Sequence, residues 1–551
     1  LLAERKGRLL ARDPEGRMDE ALKQRVARQG RALVRLLAGR ERYAIERTAG
    51  SDNTREFPPQ DDSFPLTPYQ TGFYAMSLEE RDNRSVLNQA GVFDLDEAPS
   101  PAEWREAMER LARRHPALRI SLFSGEDGEI RQRARETCSL PLEDFEVTEQ
   151  DADAAVEGLI DRFKSAAYDL ERDFLFRAAI VRKPGGRATV VLGGHHIVLD
   201  GWSMGLILDD LAAILQKAEL PPQGCGYEEY ARNAALLPRL PRMEGHRRYW
   251  RDKLKHANPL LSLRENRHRE ASPGPDAERA VIHRPLAPDL IPNLARWAVA
   301  SQGHPFAALS HALRHAFVLA TGERDDTVIT IAANREHHPD IAGLAGCLIN
   351  VLPLLAPLDE RLTAKDLLKD SQETVLEALE HQELPFGALL EASGIRPCQG
   401  RTPLGQVMLL LQNAFSMDGR PGVRCRIPRL PIAHYELSFV VWDRGREGFL
   451  LHTEHAPSLY SADRVNSLID LFISICEVLP RCGETAGRDI PAIAAPKGKP
   501  PSDQEKGEGD LPAGDLGVNL LRALSGPDVP ASRTDGATVA DALSSVLAER
   551  G

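Results

Sequence analysis

Cysteine is scarce and unpatterned. The seven residues (Cys138, Cys225, Cys347, Cys398, Cys425, Cys476 and Cys482) form no CxxC pair and no disulfide rhythm. That excludes a disulfide-dense scaffold and points to a reducing, cytoplasmic setting. No apolar run reaches the roughly 18 residues of a membrane-spanning helix. The chain has no Walker loop, no dinucleotide fingerprint and no short-period repeat. No set of three or four metal ligands can be read from it, so no metal is expected. Its net charge of -12 is spread over both signs, which gives no general attraction for nucleic acid.

What is present divides into blocks. The 551 residues suffice for two or more domain-sized cores. Residues 1–48 carry 13 Lys+Arg against 7 Asp+Glu, a basic element on an acidic protein. Within it a short strand and turn are predicted over residues 7–16. A helix is predicted over residues 18–38, with Leu22, Val26, Leu33 and Leu37 on one stripe. Residues 49–63 are polar and proline-bearing, as in a linker. From there to about residue 480, helical and strand-like segments alternate. Helices are expected at 104–114, 154–167, 203–216, 306–320, 363–379 and 461–479, and strands at 176–181, 189–192, 327–332 and 407–411. Residues 491–551 have little to bury and read as a mostly disordered tail, with one weak helical stripe at Val539, Leu543 and Leu547.

The chemistry concentrates in VVLGGHHIVLDGWSMG, Val190 to Gly205. A strand ending near Gly194 delivers the following residues to its carboxyl edge, a frequent site of function in α/β layers. Adjacent strand residues point to opposite faces, so one of His195 and His196 faces a cavity and the other serves structure. Gly194 and Gly201 remove side chains where the backbone turns or approaches something closely. Asp200 is placed to brace the loop through backbone amides or to pair with a buried arginine. A second pair, His337-His338, sits in a polar loop-like setting.

The stretch HHIVLDGWS resembles the HHxxxDG signature of nonribosomal peptide synthetase condensation domains, in the chloramphenicol acetyltransferase-like superfamily. Other segments match in chain order. LTPYQTGFYAM (Leu66–Met76) resembles the opening motif, keeping Gln70, with Pro68 and Tyr69 at two positions where small residues are usual. RRHPALRISLF (Arg113–Phe123) resembles the second, with Pro116 where Glu is common. AYDLERDFLFRAAI, GYEEYARNAAL and GLAGCLINVLPLL follow, the last with Leu355 where Arg is common. HQELPFGALL, with Gly387 in place of Glu, and RTPLGQVMLLLQN complete the series.

The resemblance implies an α/β fold of two chloramphenicol acetyltransferase-like lobes, residues 64–240 and 241–490, arranged as a V-shaped pseudo-dimer around a central tunnel. It implies substrates presented on the phosphopantetheine of carrier proteins, with no cofactor bound by the chain itself. His196 is then the catalytic residue, either moving a proton from the attacking nucleophile or stabilising the tetrahedral intermediate. His195, Asp200 and Gly201 are supporting residues, and Arg335 is the expected ion-pair partner of Asp200. Gly201, Trp202, Ser203, Asn350 and Gln412 are candidate tunnel or oxyanion contacts, with core anchoring as the other role of Trp202.

Residues 1–48 are similar to a partial β-hairpin docking domain, its first helix cut down to residues 1–5. Such a domain receives the tail of an upstream synthase subunit by strand addition. The reaction implied is transfer of an acyl, peptidyl or polyketide thioester to a carrier-bound or free amine or hydroxyl acceptor, in the biosynthesis of a nonribosomal or hybrid secondary metabolite such as an antibiotic. A noncatalytic condensation-like scaffold and a CoA-dependent acyltransferase remain as alternatives. Neither a nucleic-acid nor a membrane partner is expected.

Overall fold

A computed structural model describes residues 2–5, 8–11, 62–79, 87–125, 129–260, 280–322, 328–333, 339–355, 358–359, 361–396, 403–412, 423–426 and 435–490. The predicted helix at 18–38, residues 49–61 of the linker, Arg335, the His337-His338 pair and the tail lie outside these residues.

Two mixed α/β units build the described chain. In the first, a five-stranded sheet runs in the order Val423–Arg426, Asn88–Leu95, Ala188–His195, Phe176–Arg182, Leu142–Glu146. Its central strand, ATVVLGGH, is buried at every position. The reason is that both sheet faces are covered. Val190 and Leu192 pack with Trp104, Leu111, Ile207 and Leu211 of helices Pro101–Arg114 and Gly201–Leu215. Val191 packs with Val156, Leu159 and Phe163 of helix Ala152–Lys164 on the other side. The helix expected from Trp104 starts earlier, because Ser100 and Glu103 form a capping box ahead of Pro101.

The second unit is a six-stranded sheet in the order Ala280–Pro285, Phe449–His455, Leu437–Asp443, Val407–Gln412, Val328–Ala333, Ile349–Leu354. One face packs Leu409, Phe439, Val441 and Leu451 against helices Leu290–Ala300, Pro305–Thr321 and Ala462–Val478. Helix Met243–Lys253 adds Met243 and Trp250 to a smaller core with Leu352, Leu354 and Leu389.

The two units are interlocked. Strand Val423–Arg426 comes from the later part of the chain yet pairs with Asn88–Leu95. Ile341, Leu344, Cys347 and Leu348 likewise enter the core of the first unit.

The amino-terminal expectation needs one correction. In place of a helix remnant over residues 1–5, Leu2–Arg5 is a strand, paired antiparallel with Arg8–Ala11. One helical turn is below the length at which a helix nucleates in water, whereas a hairpin satisfies the same backbone groups by pairing.

Gly346 sits where the two units meet, with φ at +156°, and a Cβ there would lie 2.2 Å from the Tyr227 ring. The aromatic ring is fully buried and has nowhere to retreat. Gly346→Ala is therefore expected to lower stability by about 1–3 kcal/mol. Gly343→Ala, with nothing within 4 Å of the new methyl, should stay within about 0.5 kcal/mol of the parent. Paired urea unfolding curves check both.

Candidate active site

Strand Ala188–His195 ends in the two histidines, and the chain turns through residues 196–199 into helix Gly201–Leu215. The turn is held from three sides. His195 N donates to Leu175 O (2.8 Å), and His196 N donates to Leu87 O. The third support is Gln70, fully buried, whose Nε2 donates to Ile197 O at 2.8 Å. Gln70 and Gln132 form a reciprocal amide pair at 3.0 and 2.7 Å. Gln70 is visible in the opening motif, but Gln132 lies 62 positions away and no local pattern announces it.

The histidines have different surroundings. His195 is buried against Tyr168, its ring edge-on at 6.1 Å. Its Nδ1 accepts from Ile197 N at 3.1 Å, which fixes the tautomer, and its Nε2 lies 3.5 Å from Ser77 Oγ. Burial, with the neighbouring His196 adding to it, pushes its pKa down to about 3. His196 keeps 8% exposure and lies 4.6 Å, centroid to centroid, from Phe73. Burial lowers its pKa as well, while Asp200 and the backbone of His196 and Leu199 oppose the shift. It therefore rests as the neutral imidazole at pH 7, the form able to accept a proton. Phe73 and Tyr168 carry no signal in the sequence, where both read as ordinary apolar positions.

Asp200 caps the helix. Its Oδ1 accepts from Ser203 N (2.8 Å) and lies 2.7 Å from Ser203 Oγ. Its Oδ2 accepts from Leu348 N at 2.9 Å, across to the segment that follows Gly346. Ser203 Oγ also lies 2.7 Å from Gly346 O and accepts from Gly346 N at 2.8 Å. The expected partner Arg335 falls outside the described residues.

Two candidate contacts need correction. Ser203 is fully buried and its hydroxyl is engaged by Asp200 and Gly346, so it ties the two units together and has no capacity left for an oxyanion. Asn350 uses its whole amide on backbone. Its Nδ2 donates to Gln382 O (2.7 Å) and Leu384 O (2.9 Å), and its Oδ1 accepts from Val351 N (2.9 Å) and Phe386 N (3.1 Å). It shapes the turn into helix Phe386–Ser393 and has no hydrogen-bonding capacity left for a tunnel ligand. Gln412 does approach the signature: its Nε2 lies 3.9 Å from where a Gly201 Cβ would stand. Gly201 and Trp202 are half-buried at the first turn of the helix. The structure thus brings His195, His196, Asp200, Gly201, Trp202, Ser203 and Gln412 into one neighbourhood at the seam.

A condensation-domain family profile matches residues 60–485. The chain belongs to the condensation-domain family. Among curated relatives, it is 29% identical over 403 residues to phosphinothricin tripeptide synthetase PhsC of Streptomyces viridochromogenes, covering 70% of this chain and 36% of that protein. It is 25% identical over 425 residues to gramicidin S synthase 2 of Brevibacillus brevis, covering 76% and 9%. The condensation-domain chain thus spans little more than a third, or less, of these relatives. Among solved structures, the condensation domain of Monacolin K polyketide synthase MokA superposes with a TM-score of 0.68 at 17% identity, covering 77% of this chain and 98% of that one. The X-domain from teicoplanin biosynthesis gives 0.65 at 20% identity, covering 78% and 98%. Both show the fold. No helix among the described residues is long and apolar enough to cross a membrane.

Two outcomes follow from this geometry. Asp200→Ala removes a helix cap and leaves buried donors on Ser203 and Leu348 without their acceptor, at an expected cost of about 3 kcal/mol, read from chemical denaturation. The second concerns acid. The His195 pKa is about 3 folded against 6.5 for the ordinary residue, so the unfolded chain protonates first. Stability should fall as pH drops from 6.5 towards 3, with this residue contributing up to about 1.4 kcal/mol per pH unit. His195→Asn, whose Oδ1 can replace the Nδ1 acceptor, should flatten that slope by one such increment. An unchanged slope in unfolding free energies at pH 4–6.5 contradicts the assignment.

Proposed function

We propose that this condensation domain transfers an acyl, peptidyl or polyketide group from a carrier-protein thioester to an amine or hydroxyl acceptor, forming an amide or ester. The observation that carries this reading is His196, a neutral imidazole with residual exposure, on a turn braced from three sides and with its ring against Phe73. The thioester supplies the leaving group, so the protein has to align two partners and handle one proton. The nucleophile attacks the thioester carbonyl, His196 takes the nucleophile's proton, and as the C–S bond breaks that proton passes on to the departing sulfur, so that a thiol is released and the imidazole is neutral again. In this reading the two units are the lobes of a V, divided near residue 240, and the seam is the tunnel that admits phosphopantetheine arms. His195, Asp200 and Ser203 hold the turn, and Gly201 leaves its backbone amide approachable for the developing oxyanion. Residues 1–48 dock the upstream synthase.

The test is intact-protein mass spectrometry with an acyl-loaded carrier and a panel of amine and alcohol acceptors, free and carrier-bound. Wild type should transfer the acyl group, and His196→Ala should lose about 10²–10⁴-fold in rate. Retention of full activity by the variant removes His196 from the chemistry. Because the His196 pKa lies below 6.5, transfer to an alcohol acceptor, which does not itself titrate in this range, should hold as pH falls to that value and decline only at lower pH. With the alcohol acceptor, an acid limb above 6.5 contradicts the base role.

A further inference from the structure

Helix Pro68–Glu79 lies along the signature turn. Gln70, Phe73 and Ser77, spaced by three and four residues, fall on one face of it. They meet residues 197, 196 and 195 in that order. Gln70 Nε2 donates to Ile197 O at 2.8 Å, the Phe73 ring lies 4.6 Å from the His196 ring, and Ser77 Oγ lies 3.5 Å from His195 Nε2. One helix therefore touches the turn at its backbone and at both imidazoles. A small rotation or slide of that helix moves all three contacts together.

The start of the helix is held by a pair of amides. Gln132 stands on strand Ile130–Ala134 of a separate three-stranded sheet, between Phe64 and Leu122 in register. Gln70 and Gln132 are both fully buried, so a hydrogen bond lost there is not replaced by water. Three backbone groups dictate how the amides are turned. Thr67 N donates to Gln70 Oε1 at 2.9 Å, which makes that atom the oxygen. Ile197 O and Pro65 O accept from Gln70 Nε2 and Gln132 Nε2, at 2.8 and 2.9 Å, which makes those the nitrogens. The reciprocal bonds between the side chains, at 3.0 and 2.7 Å, fit this one arrangement. Gln70 Nε2 thus has one N–H on Gln132 Oε1 and the other on Ile197 O. Removing the Gln132 oxygen removes the partner that aims the second N–H at the turn.

We propose that Gln132 is a positioning residue for the transfer reaction: it fixes the donor–acceptor sense of the Gln70 amide, and through it the seating of helix Pro68–Glu79 against the turn that carries His196. The proposal rests on the reading of His196 as the group that handles the proton. Gln132 is fully buried and cannot meet a substrate, so its effect reaches the reaction through Gln70. Substitutions separate hydrogen-bond sense from volume. Gln132→Met keeps the length and removes both donor and acceptor. Gln132→Glu, as a carboxylate, turns an oxygen towards Pro65 O and Gln70 Oε1, which are themselves acceptors. Protonated, it recovers one donor. Burial favours that neutral form, and neither Phe64 nor Leu122 beside it in register offers a cation.

The experiment measures transfer from an acyl-loaded carrier to an alcohol acceptor on the full chain, with circular dichroism and urea unfolding of each variant. Gln132→Met should lower kcat about 10–100-fold while KM for both substrates stays within about twofold. For Gln132→Glu, kcat relative to wild type should rise about fivefold or more as pH is lowered from 8.5 to 6.5. A purely structural role lowers the unfolding free energy and moves neither kcat per folded molecule nor that profile. His196 supplies a readout that needs no turnover. In protein carrying carbon-13 at histidine Cε1, its signal is identified by its loss in His196→Gln. In Gln132→Met it should titrate about half a unit or more above wild type, because water reaches the loosened turn. Unchanged kcat in Gln132→Met with an unmoved His196 titration overturns the proposal, as does a Gln132→Glu profile parallel to wild type. Should Gln132→Met fail to fold, Gln132→Glu carries the test. A wild type that transfers nothing defeats the proposed reaction. The His196 titration then decides the positioning role alone, a shift supporting it and no shift overturning it.

Discussion

The Asp200 carboxylate is withdrawn from water, and the cost of that burial is offset only because its oxygens receive hydrogen bonds from two directions. Ser203 N and Leu348 N are the two backbone donors, one on the helix that follows the histidines and one on a segment some 148 residues later in the chain. A single side chain therefore couples the start of helix Gly201–Leu215 to the loop around Gly346. Ser203 repeats the coupling through its hydroxyl. Since a buried donor without its acceptor costs about 1–3 kcal/mol, the registration of the two units at the seam depends on this small network.

The geometry around the histidines follows from the same constraint. Helix capping sets where the helix begins, the strand sets where His195 stops pairing, and only residues 196–199 remain to span the gap. Gln70 and Leu87 hold that short turn by its backbone, leaving the His196 ring to lie against Phe73. Apolar surroundings keep both imidazoles neutral, yet only His196 retains exposure. Adjacent residues of one type thus receive different tasks from their surroundings alone.

Much of this was legible in advance where the signal is local. The apolar run before the histidines reads as a strand at 189–192, found at Ala188–His195, and the helices at 306–320 and 461–479 lie within a residue or so of those found. The capping box at Ser100 and Glu103 explains why the 101–114 helix begins three residues before its first large apolar side chain. The hairpin at residues 2–11 shows the opposite case, because four-residue segments carry too little periodicity to distinguish a strand from a helical turn.

Site roles divide along the same line. Strand alternation assigns one of His195 and His196 to a cavity without saying which, and only the resemblance to the HHxxxDG signature implies His196. Asp200 is placed to brace the loop through backbone amides, and it accepts from Ser203 N and Leu348 N. The signature could not show that Asn350 would use its entire amide on the backbone of residues 382–386. Nor could it show that Gln132 would lock Gln70, or that Gln412 would arrive beside Gly201. Those outcomes depend on which segments the two sheets bring together, including a strand carried from residues 423–426 to the edge of the first sheet. Local sequence determines which side chains can donate, accept or titrate. Tertiary packing decides which of them remain available, because a hydrogen-bonding group already satisfied across the seam has nothing left to offer a substrate.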